Sequence, residues 1–113
     1  MKLAILLVFM FISIEAKHLH KEKYYQQIFC KEMRGIQEYR LKDKSRVDCL
    51  TAEYAIEVDF ANKWAEAVGQ SLFYSIMTGK KAGIYLIIEQ KKEEKYFHRL
   101  NKVAKKFNIK VWI

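Results

Sequence analysis

The sequence predicts an α/β protein, of the α+β kind with a mixed sheet, on the basis of three observations. Apolar residues in segment 21–33 recur at helical spacing, those in segment 36–60 alternate as in strands, and residues 82–88 form an almost continuous apolar run. The 113-residue chain has no proline, and 51% of its residues are apolar. We therefore expect one domain with a modest core and no linker.

The first sixteen residues predict a cleavable signal peptide. Lys2 precedes an apolar run that ends at Ile14, and the small residue Ala16 completes a cleavage site. The run is shorter than the ~20 residues that span a bilayer as a helix. We expect residues 17–113 to form an exported domain, periplasmic or secreted, with no stable membrane insertion after cleavage. A retained membrane anchor is the alternative.

Net charge and cysteine content suggest partners and a compartment. The charge is +8, and removing residues 1–16 leaves it unchanged because they hold one base and one acid. Such a charge favours nucleic acid or an anionic membrane surface, although it also serves solubility. The only cysteines, Cys30 and Cys49, suit a disulfide in an oxidising compartment, worth roughly 3 kcal/mol. Two separately buried thiols are the alternative.

A helix is predicted first in the exported domain. Residues 21–33 place Tyr24, Ile28 and either Cys30 or Lys31 at helical spacing, and Gly35 is expected to end the helix.

Three short strands follow this helix. Segments 36–41, 46–50 and 54–60 alternate apolar and polar residues, and short polar turns separate them. Consecutive strands joined by short turns pair with one another, so we expect an antiparallel meander.

The second half predicts two helices and two further strands. Residues 61–78 are strong helix formers closed by Gly79, and the run 82–88 is typical of a central strand covered on both faces. Residues 91–107 are amphipathic, and residues 109–113 form a last strand, expected to lie parallel to segment 82–88. The predicted order is αβββαβαβ.

The carboxylates of the three-strand meander form the candidate metal-binding site. Side chains alternate along a strand, so Glu57 and Asp59 share one face, and Asp48 on the preceding strand can approach them. Grouped carboxylates repel one another unless a cation lies between them. Oxygen ligands suit Mg²⁺ or Mn²⁺, which we predict as the cofactor. The alternative is a solvated strand face that pairs with neighbouring lysines.

Three short motifs in this region resemble a known enzyme superfamily. The runs Arg46-Val47-Asp48, Ala55-Ile56-Glu57-Val58-Asp59 and Gly69-Gln70-Ser71-Leu72-Phe73-Tyr74 resemble the motif series of the PD-(D/E)XK nucleases, particularly the RecB-like branch and its small uncharacterised exported members. The αβββαβ order is also the restriction-endonuclease-like core of that superfamily, to which a C-terminal αβ unit is added here. The resemblance covers about residues 21–88.

The resemblance implies roles for individual residues. Asp48 and Glu57 match metal-binding carboxylates, and Gln70 and Tyr74 match a Q-x-x-x-Y pair that positions the substrate. Members of this superfamily also recruit a glutamate from the first helix or its exit, for which either Glu32 or Glu38 qualifies. We take Gln70, Tyr74 and Glu38 as the candidate substrate-binding residues.

One position departs from the family pattern. Asp59 replaces the lysine that follows the strand glutamate by two residues, and an aspartate cannot orient an attacking water through positive charge. Some members carry this lysine on the next helix, which makes Lys63 the substitute. Lys63, Gln70 and Tyr74 fall on one helical stripe.

An opposite stripe on the same helix leaves that assignment open. It consists of Trp64, Val68, Leu72 and Ile76. If this stripe is the core face, Lys63 and Gln70 are simply solvated.

The leading hypothesis is a metal-dependent phosphodiesterase or nuclease in which Asp48, Glu57 and Asp59 hold the ion and Lys63 assists the water. The alternatives are an inactive member of the same fold that binds nucleic acid or a protein, and a secreted interaction module. The sequence has no Gly-rich phosphate loop and no serine nucleophile elbow, which disfavours P-loop NTPases and triad hydrolases. His18 and His20 are expected to lie in a mobile terminal tail.

Overall fold

A computed structural model describes residues 17–113, so the predicted signal peptide lies outside the described residues. The helices α1 to α3 are Glu22–Glu32, Trp64–Thr78 and Glu94–Phe107. The strands β1 to β5 are Ile36–Arg40, Arg46–Leu50, Tyr54–Phe60, Lys81–Ile87 and Lys110–Trp112. Short 3₁₀ turns, Ala61–Lys63 and Lys91–Glu93, lead into α2 and α3. The predicted element order is confirmed.

The five strands form one mixed sheet in the order β1-β2-β3-β4-β5. The first three pair antiparallel, as the short turns predict. Strand β4 pairs parallel with β3 on one side and with β5 on the other, which confirms its central place and the parallel pairing of the last strand. The predicted α/β class with a mixed sheet is thus the observed one.

Helices cover both faces of the sheet. Alternate residues of β4 show this division, since Ile84 and Leu86 pack with Leu100 and Ala104 of α3. The intervening Tyr85 packs in a cluster with α1 residues. Burial on both faces explains why this strand reads as a continuous apolar run. No helix within residues 17–113 has both the length and the apolar character needed to cross a membrane.

Helix α1 buries a different stripe from the predicted one. Its buried residues are Gln26, Phe29 and Cys30, whereas Tyr24 and Ile28 are 46% and 48% exposed. Of the two alternatives for the third position, Cys30 is buried and Lys31 is exposed. The predicted stripe is wrong for Tyr24 and Ile28, because the side of the helix that packs on the sheet includes the polar Gln26, which hydrogen-bonds to the backbone of β2.

A disulfide between Cys30 and Cys49 ties α1 to β2, which decides between the two alternatives for these cysteines. Their Cα atoms are 5.6 Å apart, and both residues are fully buried. Gly35, at the exit of α1, lies directly against this bond. A Cβ atom there would stand 2.5 Å from Cys49 Sγ and 2.9 Å from Cys30 Sγ.

The disulfide therefore explains why residue 35 is a glycine, since no side chain fits against the two sulfur atoms. The left-handed residue that ends α1 is Arg34, with φ of 56°, so Gly35 is not needed for its backbone freedom. Gly79, by contrast, has φ of 71° and ends α2 as predicted.

Candidate functional site

Strands β2 and β3 separate where Asp48 lies, and its side chain takes part in the strand pairing. The ladder between them holds only two residue pairs, Cys49 with Ile56 and Leu50 with Ala55. Beyond them, the backbone N–H of Val58 donates to Asp48 Oδ2 at 2.8 Å.

Helix α1 fixes the backbone at the same position. Gln26 Nε2 donates to the carbonyl oxygen of Asp48 at 3.0 Å. With both its carbonyl and its carboxylate hydrogen-bonded, Asp48 is held in one orientation. The carboxyl group of Asp48 also has a second partner.

That partner is Glu57. The two carboxyl groups share a hydrogen bond that lowers the pKa of Asp48 and raises that of Glu57, so Glu57 is the donor. Glu57 is only 5% exposed. Burial is the main reason that the pKa of Glu57 lies far above its ordinary value, and the charge of Asp48 adds to the effect. Burial also outweighs the hydrogen bonds at Asp48 and raises its pKa.

A second carboxyl pair joins Asp59 to Glu22, the first residue of α1. Asp59 is 6% exposed and accepts from the backbone N–H of Phe60 at 2.9 Å. Glu22 donates a side-chain hydrogen bond to Asp59, and burial followed by the charges of Asp59 and Asp48 raises the pKa of Glu22 to about 7. The pKa of Asp59 is also raised, chiefly by burial.

These four residues, Glu22, Asp48, Glu57 and Asp59, are called the carboxylate cluster below. Its three predicted members are divided between the two pairs, Asp48 with Glu57 and Asp59 with Glu22. Glu22 was missed, because an acidic residue in the first turn of a helix is ordinary and no spacing links it to the strands.

Lys63 lies at the rim of the carboxylate cluster. It is exposed and ends the 3₁₀ turn that follows β3. Its positive charge lowers the pKa of both Glu22 and Asp59, which places it beside the second carboxyl pair.

Helix α2 presents one face to the sheet and another to α3. Ala67, Ser71 and Tyr74 are its buried residues, and Tyr74 packs with Ala55 of β3. Burial, and then the charges of Glu57 and Asp48, raise the pKa of Tyr74 to about 12. Tyr74 therefore lies near the cluster, whereas Gln70 is exposed.

The opposite stripe of α2 is also a packing surface. Trp64, Val68 and Leu72 pack against the core cluster that contains α3 residues, and Ile76 is 78% exposed. Both stripes of this helix therefore carry packed side chains, because α2 contacts the sheet on one side and α3 on another.

Of the two glutamates proposed at the exit of α1, Glu38 is the one beside the cluster. Its neighbours on β1 pair with those of Asp48 on β2, and its charge raises the pKa of Asp48. The charge of Glu32 acts on Tyr85 instead. Glu38 has φ of 51°, so the backbone of β1 is strained opposite Asp48.

The cluster fits a metal ion by its chemistry more clearly than by its present geometry. Within the described part of the chain, no three His, Cys, Asp or Glu side chains are grouped closely enough to hold a metal ion. The carboxyl groups instead form two proton-sharing pairs. An oxygen-only donor set nonetheless suits a hard divalent cation, and buried carboxyls with raised pKa values are groups whose ionisation a cation favours.

No family model, no curated protein and no solved structure matches the chain.

Proposed function

We propose that this protein is a metal-dependent phosphodiesterase that acts on nucleic acid. The observation that carries the proposal is the carboxylate cluster: four carboxyl groups from three elements lie in two neighbouring hydrogen-bonded pairs where β2 and β3 separate. Folding raises the pKa of all four. Apolar or amide side chains would serve a purely structural role better, because they can be buried without the loss of stability that comes with burying a carboxyl group.

Each residue has a proposed role. Asp48 and Glu57 would hold the ion once it displaces the proton that they share, and Asp59 and Glu22 would complete the oxygen ligands. A divalent ion bound there would lower the pKa of a water and stabilise negative charge on a phosphate. Lys63 orients the attacking water from the rim, and Tyr74 supports the cluster from α2. The net charge of +8 favours a polyanionic substrate.

Cleavage of labelled single- and double-stranded DNA and RNA tests the proposal. We expect cleavage in Mg²⁺ or Mn²⁺ and none in excess EDTA. Lys63→Met is expected to lower the rate about 100-fold, in the range for loss of a group that assists proton transfer. The matched control is Lys105→Met on the exposed face of α3, which makes the same change of charge. Equal loss in both variants, or cleavage in EDTA, would contradict the proposed roles.

An inactive nucleic-acid or protein binder of the same fold is the second candidate. The observation that favours it is Asp59 at the position of the family lysine, together with the raised pKa values that favour protons on Glu22 and Glu57 in place of a cation. A binder of nucleic acid would retain it in a salt-dependent way without cleaving it under any metal condition. A secreted interaction module would show neither behaviour with nucleic acid.

A further inference from the structure

The residues that precede α1 are held firmly against the domain, contrary to the tail expected from the sequence. Glu89, whose side chain is 5% exposed, lies 2.7 Å from His18 Nδ1 and accepts from the backbone N–H of Leu19 at 2.9 Å. Tyr25 of α1 donates its hydroxyl to the same carboxylate at 2.6 Å. One buried carboxylate thus fixes the segment at the end of β4.

Aromatic rings are arranged along this segment. The His18 ring stacks on Phe60 with centroids 3.5 Å apart and an interplanar angle of 9°. His20 stacks on Tyr24 at 4.0 Å, and this second pair is exposed to solvent. Because Glu89 and Phe60 hold the segment in place, these rings are ordered before any ligand arrives.

Cationic side chains alternate with the rings. Lys17, Lys21 and Lys23 are all exposed. Glu22, which belongs to the carboxylate cluster, stands between the last two and hydrogen-bonds to Asp59. A surface depression of about 400 Å³ lies against the middle of this segment; it is lined by His18, Leu19, His20, Lys21, Glu22 and Phe60.

We propose that residues 17–24, called the N-terminal platform, bind single-stranded nucleic acid and lead it to the carboxylate cluster. The inference rests on the proposed function and names its substrate class. Flat rings with interleaved lysines suit unpaired bases and their phosphates, because every base has a face that can stack. The bases of a duplex are already stacked on one another and cannot use the rings without unpairing.

Binding is measured by fluorescence anisotropy in EDTA, so that it does not depend on cleavage. The probes are labelled oligothymidine and oligouridine of about ten nucleotides, a length within the range of single-strand sites, and a hairpin duplex. We expect at least one single strand to bind about tenfold more tightly than the duplex. The two single-stranded probes separate a DNA from an RNA preference.

Three variants locate the binding surface. Tyr24→Ala is expected to weaken single-strand binding about tenfold with little change in salt dependence, because it removes a stacking surface. Lys21→Ala should weaken binding and also reduce the salt dependence, because it removes a phosphate contact. Lys105→Ala on α3 is the matched control and should have a smaller effect than Lys21→Ala. Thermal unfolding checks that each variant is folded.

The outcomes separate this inference from the proposed function. Duplex binding as tight as single-strand binding, equal effects of Lys21→Ala and Lys105→Ala, or no binding to either single strand would overturn the platform. Platform-dependent binding without cleavage in any metal would support the platform and count against the phosphodiesterase alone. Metal-dependent cleavage that Tyr24→Ala leaves unchanged, with single-strand binding also unchanged, would count against the platform alone.

Discussion

Glu57→Gln is expected to stabilise the fold at pH 8 while it abolishes metal-dependent cleavage. Glutamine has nearly the same shape, and its amide N–H can donate to Asp48 as the protonated carboxyl does. It cannot become an anion, however, and so cannot serve as the carboxylate ligand of a cation. An activity loss caused by unfolding would be accompanied by lower stability, so the opposite signs identify a functional residue.

The stability gain should depend on pH. The pKa of Glu57 lies far above its ordinary value of 4.5, so the folded protein keeps a proton that the unfolded chain has lost. Glu57 therefore lowers stability progressively as pH rises above about 4.5, at up to ~1.4 kcal/mol per pH unit. The glutamine removes this dependence. We expect a small gain at pH 5 and a gain of about 2 kcal/mol or more at pH 8.

Urea unfolding in EDTA at both pH values measures this effect. Glu94→Gln, on an exposed residue of α3, makes the same chemical change outside the carboxylate cluster and should leave the pH dependence unaltered. A destabilised Glu57→Gln protein at pH 8 would show that the carboxyl group is not buried against its neighbours as described.

Removal of the disulfide is expected to cost about 3 kcal/mol of stability. The bond closes a loop between residues 19 positions apart, and its loss restores conformational entropy to the unfolded chain. It also frees α1, which carries Glu22 and Gln26, from the strand that carries Asp48. Cys30→Ala/Cys49→Ala should therefore weaken metal binding as well as stability. Thermal unfolding with and without reductant provides the check, because only the wild-type protein should respond to reduction.

Gly35→Ala gives an independent test of the same contact. In the wild-type protein the added Cβ would meet both sulfur atoms, which a covalent bond prevents from moving apart. We expect a loss of about 2 kcal/mol, similar to other cases of overpacking in a core. In the double-alanine background the sulfurs are gone, so the same substitution should cost less. If Gly35→Ala lowered the free energy of unfolding equally in both backgrounds, contact with the disulfide would not be the reason that residue 35 is a glycine.

Patterns of local residues predicted the elements well. The alternation through 36–60 located three strands, although burial does not follow it: β1 has no buried residue, and β3 is buried on both faces with Glu57 and Asp59 among its buried side chains. The run 82–88 located the central strand because both of its faces are covered. The first helix shows where this reasoning fails. Its buried Gln26 looks like a surface residue in the sequence, since only the carbonyl of Asp48 makes its burial favourable.

The candidate site was predicted in part. Strand alternation placed Glu57 and Asp59 on one face, and the short turn between β2 and β3 brought Asp48 next to them. Glu22 was out of reach of such reasoning, because its approach to Asp59 depends on how α1 crosses the sheet. The mobile tail predicted at His18 was also wrong. The side chain that holds His18 in place, Glu89, lies 71 residues away in the sequence, so local patterns could not identify it.

The sequence by itself determined the order of helices and strands, the antiparallel meander and the face on which the strand carboxylates lie, because all of these follow from periodicities within a few residues. Only the tertiary structure decided which carboxyl groups share a proton, why Gly35 must lack a side chain and what holds the N-terminal platform. Those features depend on contacts between segments that are far apart in the sequence. Local periodicity does not indicate which distant segments come into contact.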